Sequence, residues 1–228
     1  MSFSSIEKEF EQRLSQCWQS VLVADVVQLD RSTGWLTISR DVRAAAMVFA
    51  MAEFEGLLKD ATEHLHALVE AAGVPVGDLK PGLRVLHLMG DVTRAQGAEE
   101  GQKTWPARMR LADSNNLKVP PDLPRRDSRG FLHPIGNATP NPSTVARLWT
   151  VYEFSGQPLP NLSWRQALSD GSEIRNDVAH RRGQLKSVMS GSDRTSDVIA
   201  RQVRALQDLG LHVIDAMSAY CASAAFVR

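Results

Sequence analysis

The sequence predicts an all-α fold, a helical bundle in a single domain spanning residues 1–228. Apolar residues recur at helical spacing through three long segments, no stretch alternates with the period of a strand, and no internal repeat is present. A chain of 228 residues is long enough to enclose a sizeable core.

The first helix is expected to follow Ser4 or Ser5 as N-cap, because Ile6, Phe10, Leu14 and Trp18 then form one apolar stripe at i, i+4 spacing. The second is expected to start after Ser39 and to stop at Gly73. From Ala44 to Leu58 it is apolar around most of its circumference, the pattern of a helix in the middle of a bundle. Shorter helices are expected over about 82–96, 105–115, 143–155 and 163–182, with Ser143 capping the third of these just after Pro142. A last long helix, from about Ser196 to Phe226, buries Val198, Val203, Leu206, Leu209, Val213 and Met217. The proline-rich stretch at about 116–142 has no usable period. It reads as an ordered irregular insertion, because Phe131, Leu132 and Ile135 need somewhere to pack.

Net charge is zero, so no overall field points to nucleic acid or to a membrane. The distribution is uneven: residues 1–70 carry 6 Lys/Arg against 11 Asp/Glu, whereas residues 103–129 carry 7 against 3. A polyanion would be gripped by a local patch, and Arg125, Arg126 and Arg129 are the candidates to hold an RNA backbone, with plain surface solvation as the alternative. Cys17 and Cys221, near opposite ends, read as reduced thiols, with a disulfide left open. The charged N-terminus lacks the apolar stretch of a signal peptide and no run reaches transmembrane length, so a cytoplasmic location is expected. His64 and His66 point to opposite sides of a helix and make a poor metal pair. Gly97–Thr104 has the wrong spacing for a phosphate loop and two glutamates where phosphates would sit. No metal or cofactor site is expected.

The most informative stretch is Arg175-Asn176-Asp177-Val178-Ala179-His180. At about 100° per residue, Ile174 and Val178 share one face. Arg175, Ala179, Asn176, Gly183 and His180 spread over the opposite side, with Ala179 and Gly183 flooring a shallow strip between longer polar groups. Asn176 and His180 are i, i+4 neighbours able to share one ligand, and Asp177 is placed to pair with Arg181. A solvated helix end, with His180 acting as a late-helix cap, is the plainer reading of the same residues.

The segment EIRNDVAHRRG resembles the R-N-x-x-A-H signature of the HEPN superfamily, especially its bacterial ribonuclease branches of the RiboL-PSP and MAE types. AMVFAMAEFEGLLKDATEHL is similar to the central helix of those families, with Glu55-Gly56 at their glutamate–glycine pair, and NPSTVARLWTVYEFSG to the helix before the motif helix. The resemblance covers three islands over roughly residues 40–185. It implies a HEPN-like bundle that commonly forms a homodimer with a composite cleft between two motif helices. It also implies metal-independent endoribonuclease activity, with a toxin–antitoxin pair or anti-phage defence as the setting and an antitoxin protein as a candidate partner. By the same resemblance Arg175 and His180 match the catalytic pair and Asn176 the polar residue after the arginine. Glu55 and Asp177 are supporting candidates, Glu55 as a partner for Arg175, while Arg181 and Arg182 join the candidate RNA contacts. Two departures stand out: Arg182 occupies the position of a tyrosine that an antitoxin modifies in one subgroup, and Arg181 stands where a glycine is common.

The residue types suit the chemistry. RNA carries its own nucleophile, the 2′-OH, beside the scissile phosphate. An imidazole exchanges a proton near neutral pH, and a guanidinium stays charged and matches the equatorial oxygens of a phosphorane. The expected products are 2′,3′-cyclic phosphate and 5′-OH ends, formed without a divalent metal. Two other classes fit the same motif: a helical module that binds nucleotides or a protein partner in the cleft without cutting, and a scaffold whose motif is a dimer seam.

Overall fold

A computed structural model of the chain describes residues 2–28, 33–96, 104–180, 189 and 194–228; for residues 24–28, 33–37 and 180 the description is of the backbone alone. Among the described residues there are eight α-helices and no strand: α1 (Phe3–Gln28), α2 (Thr33–Ala71), α3 (Pro81–His87), α4 (Met89–Ala95), α5 (Thr104–Ala112), α6 (Pro142–Tyr152), α7 (Leu162–His180) and α8 (Ser196–Ala222). The all-α expectation holds. The chain groups into two compact units: Met1–Asp60 with Ala138–Ala146 and Gln157–Ile214, and Ala61–Asn137 with Arg147–Gly156 and Asp215–Arg228.

In the first unit, Ile6, Phe10 and Leu14 of α1 are buried as their spacing predicts, and Cys17 and Val21 continue the stripe. Trp18 is half-buried at its edge, with the Arg204 guanidinium 4.2 Å from the centre of its ring. The cap of α1 is Ser2, not Ser4 or Ser5: Ser2 and Ser5 exchange backbone-to-hydroxyl hydrogen bonds of 2.9 and 3.2 Å, a reciprocal cap set one turn earlier. Helix α2 likewise begins at Thr33, ahead of Ser39. Ser39 is buried inside the helix, where its carbonyl accepts a hydrogen bond from Arg43 Nε, so a residue that reads locally as a cap is held helical by its surroundings.

Met47, Met51, Phe54 and Leu58 line the inner face of α2 and are at most 1% exposed. Two glycines set how closely the neighbouring helices approach it. A Cβ on Gly171 of α7 would lie 2.6 Å from Met51 Sδ and 3.3 Å from Met47 Sδ. A Cβ on Gly210 of α8 would collide with the Phe10 ring and lie 2.7 Å from Leu57 Cδ2. At Gly210 an added methyl group would displace the Phe10 ring, whereas at Gly171 the flexible Met47 and Met51 side chains would have to move aside. Val203, Leu206, Leu209 and Val213 of α8 are buried as expected, but Val198 is half-buried and Ile199 takes its core position.

In the second unit, α2 continues through Leu65 and Val69 and ends at Gly73, whose φ of +66° is the left-handed stop expected of a glycine there. The helix predicted over 82–96 is two helices, because Leu88 leaves the helical region (φ −90°, ψ 14°) with its side chain buried. At the start of α6, in the first unit, Pro142 is the first helical residue and Asn141 its cap, accepting from the backbone N–H groups of Ser143 (3.0 Å) and Thr144 (3.1 Å). Ser143 was the wrong residue because Pro142, lacking an N–H, suits the first helical position and moves the cap one place back. The last helix ends at Ala222, before Phe226, whose buried ring packs on Tyr220 beyond the helix.

The proline-rich insertion is ordered against α2. Glu63, His66 and Glu70 stand at i, i+3 and i+7 on one helix stripe. Glu70 accepts from the Leu123 N–H at 2.8 Å and Glu63 from the Arg126 N–H at 2.7 Å, while His66 meets the Pro124 carbonyl at 2.8 Å. Leu132 and Ile135 are buried as predicted; Phe131 is half-buried, edge-on to His133. Both cysteines are free, and burial raises each thiol to about 11.

The hydrogen-bond geometry fixes the tautomer of His66. Its Nδ1–H must donate to the Pro124 carbonyl, which leaves Nε2 to accept from the Tyr152 hydroxyl at 2.7 Å. Burial pushes this histidine down to about 4. The unfolded chain therefore binds this proton before the folded one does. The resulting stabilisation is complete above about pH 6.5, is lost as pH falls toward 4, and amounts to roughly 3 kcal/mol by linkage. Urea midpoints measured from pH 7 to pH 4 are expected to fall across this window, and His66→Gln is expected to flatten that limb of the profile.

Candidate functional site

Helix α7 carries the six-residue motif and is anchored at both levels of its local structure. Asn161 caps it, its side-chain oxygen 2.9 Å from the Ser163 backbone nitrogen and 2.9 Å from the Ser163 hydroxyl. Ala167, Leu168, Gly171 and Ile174 form its buried face. That face fixes the rotation of the helix and so determines which motif residues turn outward.

Over the part described, the two sides of the predicted wheel are only partly distinguished by burial. Ile174 is buried and Val178 half-buried on one side. Arg175 and Asn176 are half-buried, and Ala179 is exposed between them and the helix end. Asp177 is half-buried and engaged. His180 is the last helical residue, one turn after Asn176; its side chain lies outside the described residues, as do Arg181, Arg182, Gly183 and the proposed extension to Leu185.

The structure adds a residue that the sequence reading missed. Thr139, buried at the end of the proline-rich insertion, donates its hydroxyl to Asn176 Oδ1 at 3.1 Å. Arg175 Nη1 donates to the same oxygen at 3.4 Å. A guanidinium has no acceptor, so this contact determines which end of the Asn176 amide is oxygen. The amide NH2 is then left as a donor beside a guanidinium with further N–H groups to offer. Arg175 and Asn176 thus place charged and neutral N–H donors on neighbouring positions of one helix turn. No period or motif marks Thr139 in the sequence; it sits in a loop, and only the packing of that loop onto α7 selects it.

The other candidates are placed as follows. Glu55, considered as a partner for Arg175, instead accepts from Lys59 Nζ at 2.6 Å, one turn along α2. Arg125 pairs with Glu70 at 2.6 Å, Arg126 with Glu63 at 3.4 Å and Arg129 with Asp127 at 3.8 Å. The first two pairs fasten the insertion to α2, a sufficient structural use for a basic run that read as an RNA contact. These arginines belong to the second unit and the α7 motif to the first. Among the described residues no group of His, Cys, Asp and Glu has the arrangement of a metal site, and no helix is long and apolar enough to cross a membrane. Residues 97–103, which include most of the glycine-flanked segment set aside above, lie outside the described residues.

No family model, no curated protein and no solved structure matches the chain.

Replacing Thr139 by valine keeps its shape and removes one donor. It is expected to cost about 1 kcal/mol of stability, the usual net worth of one such hydrogen bond, and to free the Asn176 amide to rotate. Chemical denaturation measures the first effect, and the side-chain amide resonances of Asn176 in an NMR spectrum report the second.

Proposed function

We propose that this chain is a metal-independent endoribonuclease of the HEPN type that works as a homodimer. The observation that carries the reading is the oriented donor pair of Arg175 and Asn176, set by Thr139 beside the exposed Ala179 and one turn before His180. Its resemblance to the R-N-x-x-A-H signature supplies the reaction class.

In this mechanism Arg175 and the Asn176 amide hold the non-bridging oxygens of the scissile phosphate. His180 takes the proton of the 2′-OH as its oxygen attacks phosphorus. The bond to the 5′-oxygen breaks, and that oxygen leaves with a proton from an imidazolium. The products are a 2′,3′-cyclic phosphate and a 5′-OH end. Base and acid must both be present in one turnover. A second copy of α7 across a two-fold axis supplies the second imidazole, which is why the reading requires a dimer. Arg181 and Arg182 follow the histidine directly and serve as rim contacts to the RNA backbone; Arg125, Arg126 and Arg129 contribute only by exchanging their present carboxylate partners for phosphate. A cytoplasmic toxin, with an antitoxin protein as its partner, or an anti-phage effector is the setting this activity fits.

The test is cleavage of a mixed RNA substrate in EDTA. Wild type is expected to produce cyclic phosphate ends, with His180→Ala and Arg175→Ala each slower by at least about a hundredfold. Cleavage that persists in homogeneous, dimeric His180→Ala protein overturns the assignment. RNA that binds in an Arg175-dependent way but is never cut identifies a binding module instead.

A further inference from the structure

The outward face of α2 is apolar where a helix at a surface is normally polar. Ile38, Val42, Ala45, Phe49, Ala52 and Gly56 follow one another at intervals of three or four residues and so form one stripe along the helix. All six are at least partly exposed, Ile38 at 44% and Phe49 at 62%, and none carries a charge. Beside the stripe, α1 and α2 bound a groove of about 260 Å³ whose wall includes Cys17, Ser20, Ala46 and Phe49. Beyond Gly56 the same line turns acidic with Asp60 and Glu63, and Arg13 rims it with ion pairs to Glu9 and Glu53. A continuous exposed apolar strip with a polar rim is the anatomy of an interface.

Within this stripe Gly56 lacks the reason that other helix glycines have. A glycine inside a helix is destabilising relative to alanine and is usually retained for close packing. Gly171 and Gly210 have that reason, whereas a Cβ on Gly56 would meet nothing within 4 Å. No described residue of this chain uses the space that Gly56 leaves.

The stripe is complementary to itself. Two copies of α2 laid antiparallel about a two-fold axis level with Met47 bring together residues equally far from that level. Phe49 of one copy then meets Ala45 of the other, Val42 meets Ala52, and Ile38 meets Gly56. Every large side chain enters a place held by a small one, and each pairing occurs twice. Moving the axis to the level of Phe49 sets the two rings against each other and Ile38 against Asp60.

We propose that the outward stripe of α2 is a self-association surface whose occupant is the same stripe of a second copy, packed antiparallel, with Gly56 receiving Ile38. The inference does not rest on the ribonuclease reading, and its two-fold axis is a different one. Gly171 sets α7 against Met47 and Met51, on the side of α2 away from Phe49. Packing stripe to stripe therefore leaves the two motif helices on the outer sides of the pair. A protein that uses both axes assembles beyond a dimer.

Sedimentation equilibrium of the full chain tests this. One helix face about 28 Å long is a small interface, so the expected Kd is about 1 to 100 μM. Phe49→Glu changes an exposed position; circular dichroism is expected to stay native while the association weakens at least about thirtyfold. The assembly then drops one step, from dimer to monomer, or from tetramer to dimer where the α7 axis also operates. Gly56→Leu is expected to raise the thermal midpoint measured at about 1 μM, because it restores helix propensity in open space, and yet to weaken association at least about tenfold. Two results overturn the proposal: wild type that stays monomeric up to about 200 μM, or a folded Phe49→Glu or Gly56→Leu protein whose mass matches wild type at every concentration.

Discussion

The close approach of α7 and α8 to the apolar core around α2 is the constraint on which the first unit depends. Gly171 admits the sulfur atoms of Met47 and Met51, and Gly210 admits Phe10 and Leu57, at distances where a side chain would displace those groups. Dispersion falls steeply with separation, so closeness itself supplies much of the packing energy. It also fixes the rotation of α7. With Gly171 and Ile174 pinned inward, Arg175, Asn176 and Ala179 have only one way to turn. The chemistry of the motif face is a consequence of how its opposite face is buried.

Polar groups then finish what packing begins. An amide oxygen and an amide nitrogen have almost the same shape, so packing alone cannot orient Asn176 or Gln202. Hydrogen-bond partners can. A guanidinium and a threonine hydroxyl orient the first, and a carboxylate orients the second. The results differ in kind: Asn176 is held at its oxygen and Gln202 at its nitrogen. One helix therefore carries an amide held at its oxygen on one face and a carboxylate held by two amides on another. In the second unit the same principle orders a segment with no secondary structure, since Glu63, His66 and Glu70 hold the backbone of residues 123–126 as a strand partner would.

Much of this architecture is legible in the sequence, and the departures from it have several physical causes. The long helices, the buried stripe of α1 and the wheel of the motif follow from periodicity, which is a local property of the chain. Helix boundaries went astray at Ser39 and Leu88, where burial overrules the local preference, and at Ser2 and Asn141, where several capping residues compete within a few positions. Glu55 was weighed as a partner for Arg175 on the strength of its sequence context, yet its carboxylate goes to Lys59, a partner one helical turn away in the same sequence. For Arg125 and Arg126, candidates for RNA contact or plain solvation from the sequence, the acidic neighbours are more than fifty residues distant, on α2, where no local pattern shows them.

By itself, then, the sequence determined the class of fold, the helices and the residue types of the motif, because helical periodicity and side-chain chemistry are written locally. Tertiary structure alone decided that Thr139 orients Asn176, that Gln202 donates to Asp170, and that the proline-rich insertion lies along α2. Each of those depends on groups separated by tens of residues meeting within hydrogen-bond distance. Such meetings are set by how closely helices pack, and the glycines that permit that packing carry no side chain to announce it.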